Sequence, residues 1–397
     1  MKKYFFLATM LLVGAMGFVA CGDDNNTTTS GGNDDSGRSA LVCVEQIIDG
    51  CMDIANEVGN AKIGDPYDLY QSGQTEKALY AVESWYSWHS IDDYSNNILS
   101  IRNAYFGTRN NEVATNSLAT LVAGNNPTLD REVRDAITKA WNAIQAIPAP
   151  FRNNIDAPEV KEAMAACNDL EDVLSNLKGY IQRTEAINAD AVLQPILTTY
   201  VNAVVLPTYT DLLRANIALY EAAQNFKNDP SDAHFEAACE AWFEAREPWE
   251  TSEAFLFGPV DALGLDPNMD SWPLDQEAIV NILNSGKFDE LTWSDGASDD
   301  DIEAVQSVRG FHTMEFLIFK NGKARTLNDG TSTDFADLDY TNENAASWGN
   351  YMVQVGYLLQ KDAQELYDSW NKSYEGGKAY KDIFLSHEID SEDDEEE

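Results

Sequence analysis

Apolar residues recur in steps of three and four along nearly the whole chain, and that spacing leaves little room for anything but helices. Downstream of Pro207, which suits a first helical turn, Tyr209, Leu213, Ile217 and Tyr220 form one such stripe. The next segment repeats the pattern through Ala238, Ala241, Trp242, Ala245 and Trp249, after an Asn228-Asp229-Pro230-Ser231 break. Val44, Ile47, Ile48, Met52 and Ala55 do the same near the start, and Ile137, Trp141 and Ile144 do so further on. Segments 160–181 and 352–370 complete the inventory, and alternating strand patterns never extend beyond a few residues. The expected class is all-α, built as helix bundles. Loops rich in Gly, Pro and Asp are expected at 59–73, 123–130, 148–158, 258–273 and 284–301, with a boundary between two halves near 186–194.

The first twenty residues are excluded from that fold. Lys2 and Lys3 precede an apolar run to Ala20 that is broken by Gly14 and Gly17, and Val19-Ala20-Cys21 follows. This pattern is a secretory signal with a lipoprotein-type cleavage site, so Cys21 is the expected lipidation position. Residues 22–38, rich in Asp, Asn, Thr, Ser and Gly, have too little apolar surface to fold and read as a linker. What remains exceeds the usual size of one core, giving expected domains at 39–187 and 188–387 and an acidic tail at 388–397. No later run is expected to span a bilayer, so membrane attachment would be through lipid alone.

Charge narrows the partners. Acids outnumber bases 67 to 26, which argues against nucleic acid or anionic lipid. Cys43, Cys51, Cys167 and Cys239 show no C-x-x-C spacing, and buried free thiols are expected.

Gly310-Phe311-His312-Thr313-Met314-Glu315 is the stretch that carries chemistry. On a helix, His312 and Glu315 share a face with Cβ atoms about 5–6 Å apart. That pair can grip one metal ion or simply share a proton. The chain has four histidines, so this placement stands out. His89 follows Trp88 and is a further ligand candidate, whereas His234 sits near a helix start and reads as structural. Glu253 lies in an apolar Ala-Phe-Leu-Phe context and needs a partner if buried, Arg246 being the nearest choice. Arg309, beside the motif, is another candidate partner, and Gly258-Pro259 reads as a helix end.

Ala241-Trp242 through Arg246, Trp249-Glu250, Ser252-Glu253 and Phe257-Gly258-Pro259, followed by Asp270-Ser271-Trp272-Pro273 and the G-x-H-x-x-E block, closely resembles the hallmarks of the imelysin-like proteins. Ile54-to-Gly59, Lys62-Ile63, Val82-Glu83-Ser84-Trp85-Tyr86-Ser87, Asp92, Asp93, Asn96, Asn97 and Tyr105-Phe106-Gly107 resemble segments that usually follow that motif. Here they precede it, so the chain looks circularly permuted.

The resemblance implies two similar four-helix-bundle domains with a site at their interface. It also implies a bacterial envelope location (an outer-membrane lipoprotein, periplasmic or surface-exposed) and a part in iron uptake. Glu83, Ser84, Ser87 and Asp93 become site candidates with Arg246 and Glu253, and the expected metal set is His312, Glu315 and Glu253. The leading expectation is binding of iron, or of an iron-bearing ligand, and hand-over to envelope uptake machinery. The family was long filed with metallopeptidases, so a zinc-dependent peptidase is the enzyme alternative. A zinc hydrolase commonly needs three protein ligands, an open water position and a base. No H-E-x-x-H occurs, and His387-Glu388 has no second histidine beside it. A binding module without metal is the third alternative.

Overall fold

The computed structural model describes residues 39–294, 296–327, 339–341 and 343–389. The expected signal segment, the expected lipidation position Cys21, the expected linker and residues 390–397 lie outside them. Eight helices carry the architecture: α1 Ala40–Glu57, α2 Ser90–Phe106, α3 Pro127–Gln145, α4 Pro158–Arg183, α5 Leu206–Asn228, α6 Asp232–Glu250, α7 Gly310–Ile318 and α8 Ala345–Asn371. Helices α1 to α4 pack in a ring, α1 on α2 and α4, and α3 on α2 and α4; α5 to α8 close a second ring in the same way. Helix α2 lies on α6 and joins the two sets, and one buried core runs through both. Among the described residues the only strands are a two-residue hairpin, β1 Phe319–Lys320 with β2 Lys323–Ala324.

Local chemistry explains the starts. Ser39 caps α1 by accepting from Leu41 N at 3.2 Å, and Ser231 caps α6 by accepting from His234 N at 3.2 Å. Pro127 opens α3 and Pro158 opens α4, where the missing N–H has no intrahelical partner to lose. Cys43 Sγ donates to Phe384 O at 3.3 Å, so the two ends of the described fold lie side by side. A permuted order needs that adjacency.

Several expectations change. In α5 the buried face is Tyr209, Leu212, Asn216, Leu219, Ala223 and Phe226, while Leu213 and Tyr220 are half-buried and Ile217 is exposed. Both stripes obey helical spacing; α5 packs between α6 and α8, and Gly349 and Gly356 of α8 leave room for its backbone at Lys227 and Tyr220. Pro207 stands in the first turn of α5 as expected, but α5 continues from the preceding helix, Asp190–Asn228 being one run through a π-turn at Val201–Val205. By length and composition that run could cross a membrane, contrary to expectation, yet its α5 part packs on α6 and α8 as a core helix does. The expected loop 59–73 is largely helical: a π-turn at Val58–Lys62 passes into Gly64–Gln71. Gly258 stands before the short helix Pro259–Ala262 instead of ending one. Glu388 pairs with Lys378 at 2.8 Å and Ile389 is buried, so both belong to the folded body. All four described cysteines are buried and free.

A buried chamber of histidine, arginine and carboxylates

Gly310 explains how α7 reaches its place. It has φ +84°, and a Cβ there would stand 2.5 Å from Met269 O. Only glycine lets α7 begin against helix Leu265–Asp270, which delivers Asp270 to the motif. All nine residues of α7 are buried.

His312 is held from both sides. Its Nδ1 faces Glu315 Oε2 at 3.0 Å, while its Nε2 faces Asp270 Oδ1 at 3.1 Å and Glu83 Oε1 at 3.3 Å. The other oxygen of Glu315 accepts from Ser87 N at 2.8 Å and Ser87 Oγ at 2.7 Å. Glu315 is therefore an orienting group on the far side of the ring, and Glu83 and Asp270 face the Nε2 edge. Trp272 packs edge-on to the imidazole, with centroids 4.8 Å apart.

Arg246 is fully buried among four acids. Its Nη2 lies 2.6 Å from Glu83 Oε1 and 2.5 Å from Glu250 Oε1, its Nε lies 3.4 Å from Asp93 Oδ2, and its Nη1 pairs with Asp270. Ser84 Oγ donates to Asp93 Oδ2 at 2.5 Å, and Asn97 Nδ2 donates to Glu250 Oε2 at 2.5 Å. Trp249 Nε1 donates to Asp270 Oδ2 at 2.7 Å. Lys62, at the end of the π-turn, sits 3.4 Å from Glu83 Oε2, 3.6 Å from Glu57 Oε1 and 3.7 Å from Glu253 Oε1.

The segment that supplies Glu83, Ser84 and Ser87 is conformationally costly. Ser84 and Trp88 have φ of 52° and 64°, a region that side chains adopt rarely. The hairpin turn clips this segment in place: Gly322 N donates to Tyr86 O at 2.9 Å. The Gly322 backbone lies so close to the Trp88 ring that a Cβ there would enter it.

Two carboxylate-bearing sets have ligand atoms within 4.8 Å of one another: Glu83, Asp270 and His312, and Glu250, Glu253 and Asp270. The Imelysin family model matches residues 25–177 and 205–397. The chain belongs to the imelysin family.

It is similar to the crystal structure of an imelysin peptidase from Bacteroides ovatus. That likeness has 60% identity and a TM-score of 0.72, over 72% of this chain and 82% of that one. It also resembles iron-regulated protein A of Synechococcus elongatus, 29% identical over 187 residues, or 47% of this chain. The match spans 43% of that relative, under half its length.

Within this imelysin fold the electrostatics divide the acids into two groups. Burial raises Glu83, but Lys62, His312 and Arg246 outweigh it and hold the carboxyl well below its usual range. Asp270 is lowered likewise, burial being offset by Arg246 and His312. Burial drives Glu250 and Glu253 well above the usual range despite Arg246 and Lys62, and it raises Asp93 too. Asp266 is pushed to about 7 by burial and by Asp270. For His312, burial and Arg246 work downward, but hydrogen bonds to Asp270 and Glu315 raise it well above the usual value.

The structure gathers Glu83, Ser84, Ser87, Asp93, Arg246, His312 and Glu315 into one chamber. Glu253 joins it through Lys62, not through Arg246: the guanidinium is taken by Glu83, Glu250, Asp93 and Asp270. Glu253 belongs to the set with Glu250 and Asp270, apart from the His312 set. His89 sits behind Asp93, its Nδ1 3.3 Å from Asp92 and its ring against Phe243. Arg309 forms a buried pair with Asp362 instead of entering the chamber. His234 bonds Asp229 O at a helix start. Sequence reasoning missed Asp270, Glu250, Lys62 and Asp266 as chamber groups. Glu250 was discoverable, one helical turn after Arg246; Lys62 was hidden by a segment that looked like loop.

Proposed function

We propose that this protein binds a metal ion, iron or an iron-bearing ligand being the leading candidate, at His312, Glu83 and Asp270. It would do so as a carrier in the bacterial envelope, passing its cargo to uptake machinery. The observation that carries this reading is the Nε2 edge of His312. Ligand atoms bound at about 2.1 Å to one tetrahedral or octahedral ion stand roughly 3.0–3.4 Å apart; here the separations are 3.1 and 3.3 Å. Glu315 on Nδ1 is the outer partner that metal-binding histidines commonly have, fixing the ring and leaving Nε2 for the ion. An imidazole with two carboxylates suits iron and also zinc. The raised affinity of His312 for its proton means that an ion must displace that proton to bind. The name of the Synechococcus relative supports an iron connection, and the lipoprotein-type leader supports the envelope location.

The test is calorimetric titration of the full chain with Fe²⁺ under anaerobic conditions and with Zn²⁺, beside His312→Ala and Asp270→Asn. One ion bound per chain, with affinity lost at least tenfold in both variants, is the expected result. Binding that both variants retain would assign the ions to the acidic surface and end this reading.

A further inference from the structure

We propose that Arg246 is a built-in counter-cation that competes with a bound metal ion for Glu83 and Asp270, and so sets how tightly this site holds its ion. The inference rests on the metal-site reading above and adds the control on its affinity. Arg246 engages the same two oxygens that face His312 Nε2, Glu83 Oε1 at 2.6 Å and Asp270 Oδ1 through Nη1. Its Nη2 also stands 3.4 Å from Nε2 itself. An ion seated between those three atoms would share both carboxylates with the guanidinium and face its charge a few ångströms away. In a chamber this buried, that repulsion changes affinity by about tenfold or more.

Arg246 cannot make room for an ion by losing its charge, because a guanidinium stays charged throughout the accessible pH range. Arg246 can yield only by shifting its bonds. The structure supplies a place for that shift, because Glu250 Oε1 at 2.5 Å and Asp93 Oδ2 at 3.4 Å lie outside the His312 set. Among the described residues neither Glu250 Oε1 nor Asp93 Oδ1 accepts a hydrogen bond, and His89 Nε2 stands 3.8 Å from the latter. Arg246 thus has two further acceptor oxygens, on Glu250 and Asp93, to lean on when Glu83 and Asp270 turn to an ion, and it returns when the ion leaves. A residue whose loss tightens binding is unusual in a metal site, and a carrier that must release its cargo has a use for one.

The experiment compares wild type, Arg246→Met and Arg246→Lys as full chains. Zn²⁺ alone and Fe²⁺ alone (anaerobic) are the probes, read by calorimetry and by the metal-induced rise in Tm. Arg246→Met is expected to bind at least about tenfold tighter than wild type, with Arg246→Lys between them, and its Tm is expected to rise more with metal. Equal or weaker binding by Arg246→Met overturns the proposal, and if wild type still binds at His312 the functional reading stands. Binding by Arg246→Met but not by wild type would support the counter-cation while removing the carrier reading. No binding by either removes both. Should Arg246→Met be unfolded in buffer, recovery of its helical circular dichroism with Zn²⁺ supports the proposal and failure to recover overturns it.

Discussion

The glycine of the G-x-H-x-x-E motif is as demanding as its histidine. Gly310 adopts φ +84° with Met269 O where a Cβ would go, so Gly310→Ala combines left-handed strain with a backbone clash. A loss of about 2–3 kcal/mol in urea unfolding is expected. A neutral result would mean that α7 does not begin where described. Glu315 makes a different prediction. It touches Ser87 and Nδ1 of His312, not the Nε2 edge. Glu315→Gln keeps an acceptor and the shape, so it should weaken metal binding only about tenfold, the range usual for an outer partner. Loss as complete as in His312→Ala would make Glu315 a direct ligand. The histidine and the glutamate were legible as a pair from their spacing alone. Which edge of the ring each group faces was not, because that depends on where helix Leu265–Asp270 and residues 82–89 arrive from afar.

At the scale of elements, the sequence was read well where apolar periodicity was strong and poorly where Gly, Asp and Pro interrupted it. Helices α1, α3 and α6 bury most of the stripe their spacing predicts. The segment 59–73 was misread because Gly59, Gly64, Asp65 and Pro66 look like turn chemistry; instead a π-turn absorbs the irregularity and delivers Lys62 inward. In α5 two helical stripes competed, and packing against α6 and α8 decided between them. The hairpin was invisible at two residues per strand, yet it clips residues 82–89, the segment carrying Glu83, Ser84 and Ser87. Gly322→Val should push the Trp88 ring away, loosen that segment and lower metal affinity severalfold, although residue 322 is no ligand candidate. Unchanged affinity with a folded variant would show that the segment holds its shape without the hairpin.

For the molecule as a whole, pH should tell a buried chamber from a charged surface. Asp266 is raised from 3.8 to about 7, and Glu253 and Glu250 are raised as well. Each is harder to ionise folded than unfolded, so the fold loses stability as pH climbs from near 4 through about 7. His312, raised by Asp270 and Glu315 against burial and Arg246, acts in the same direction. Its contribution is complete below the ordinary histidine value of 6.5 and fades as pH rises through its folded value. Glu83 and Asp270 are lowered, so their contribution is present above the ordinary carboxylate range and lost only in stronger acid. Metal-free protein, kept in chelator, should therefore have a higher Tm near pH 5 than near pH 8. The formal charge of −41 favours the same trend, because protonation relieves self-repulsion. Salt separates the two causes, since it screens exposed charges far more than buried ones. The difference in Tm between pH 5 and pH 8 should persist in about 0.5 M NaCl and shrink in Asp266→Asn. A difference abolished by salt and unchanged in Asp266→Asn would assign the pH response to the surface and leave the chamber with no part in it.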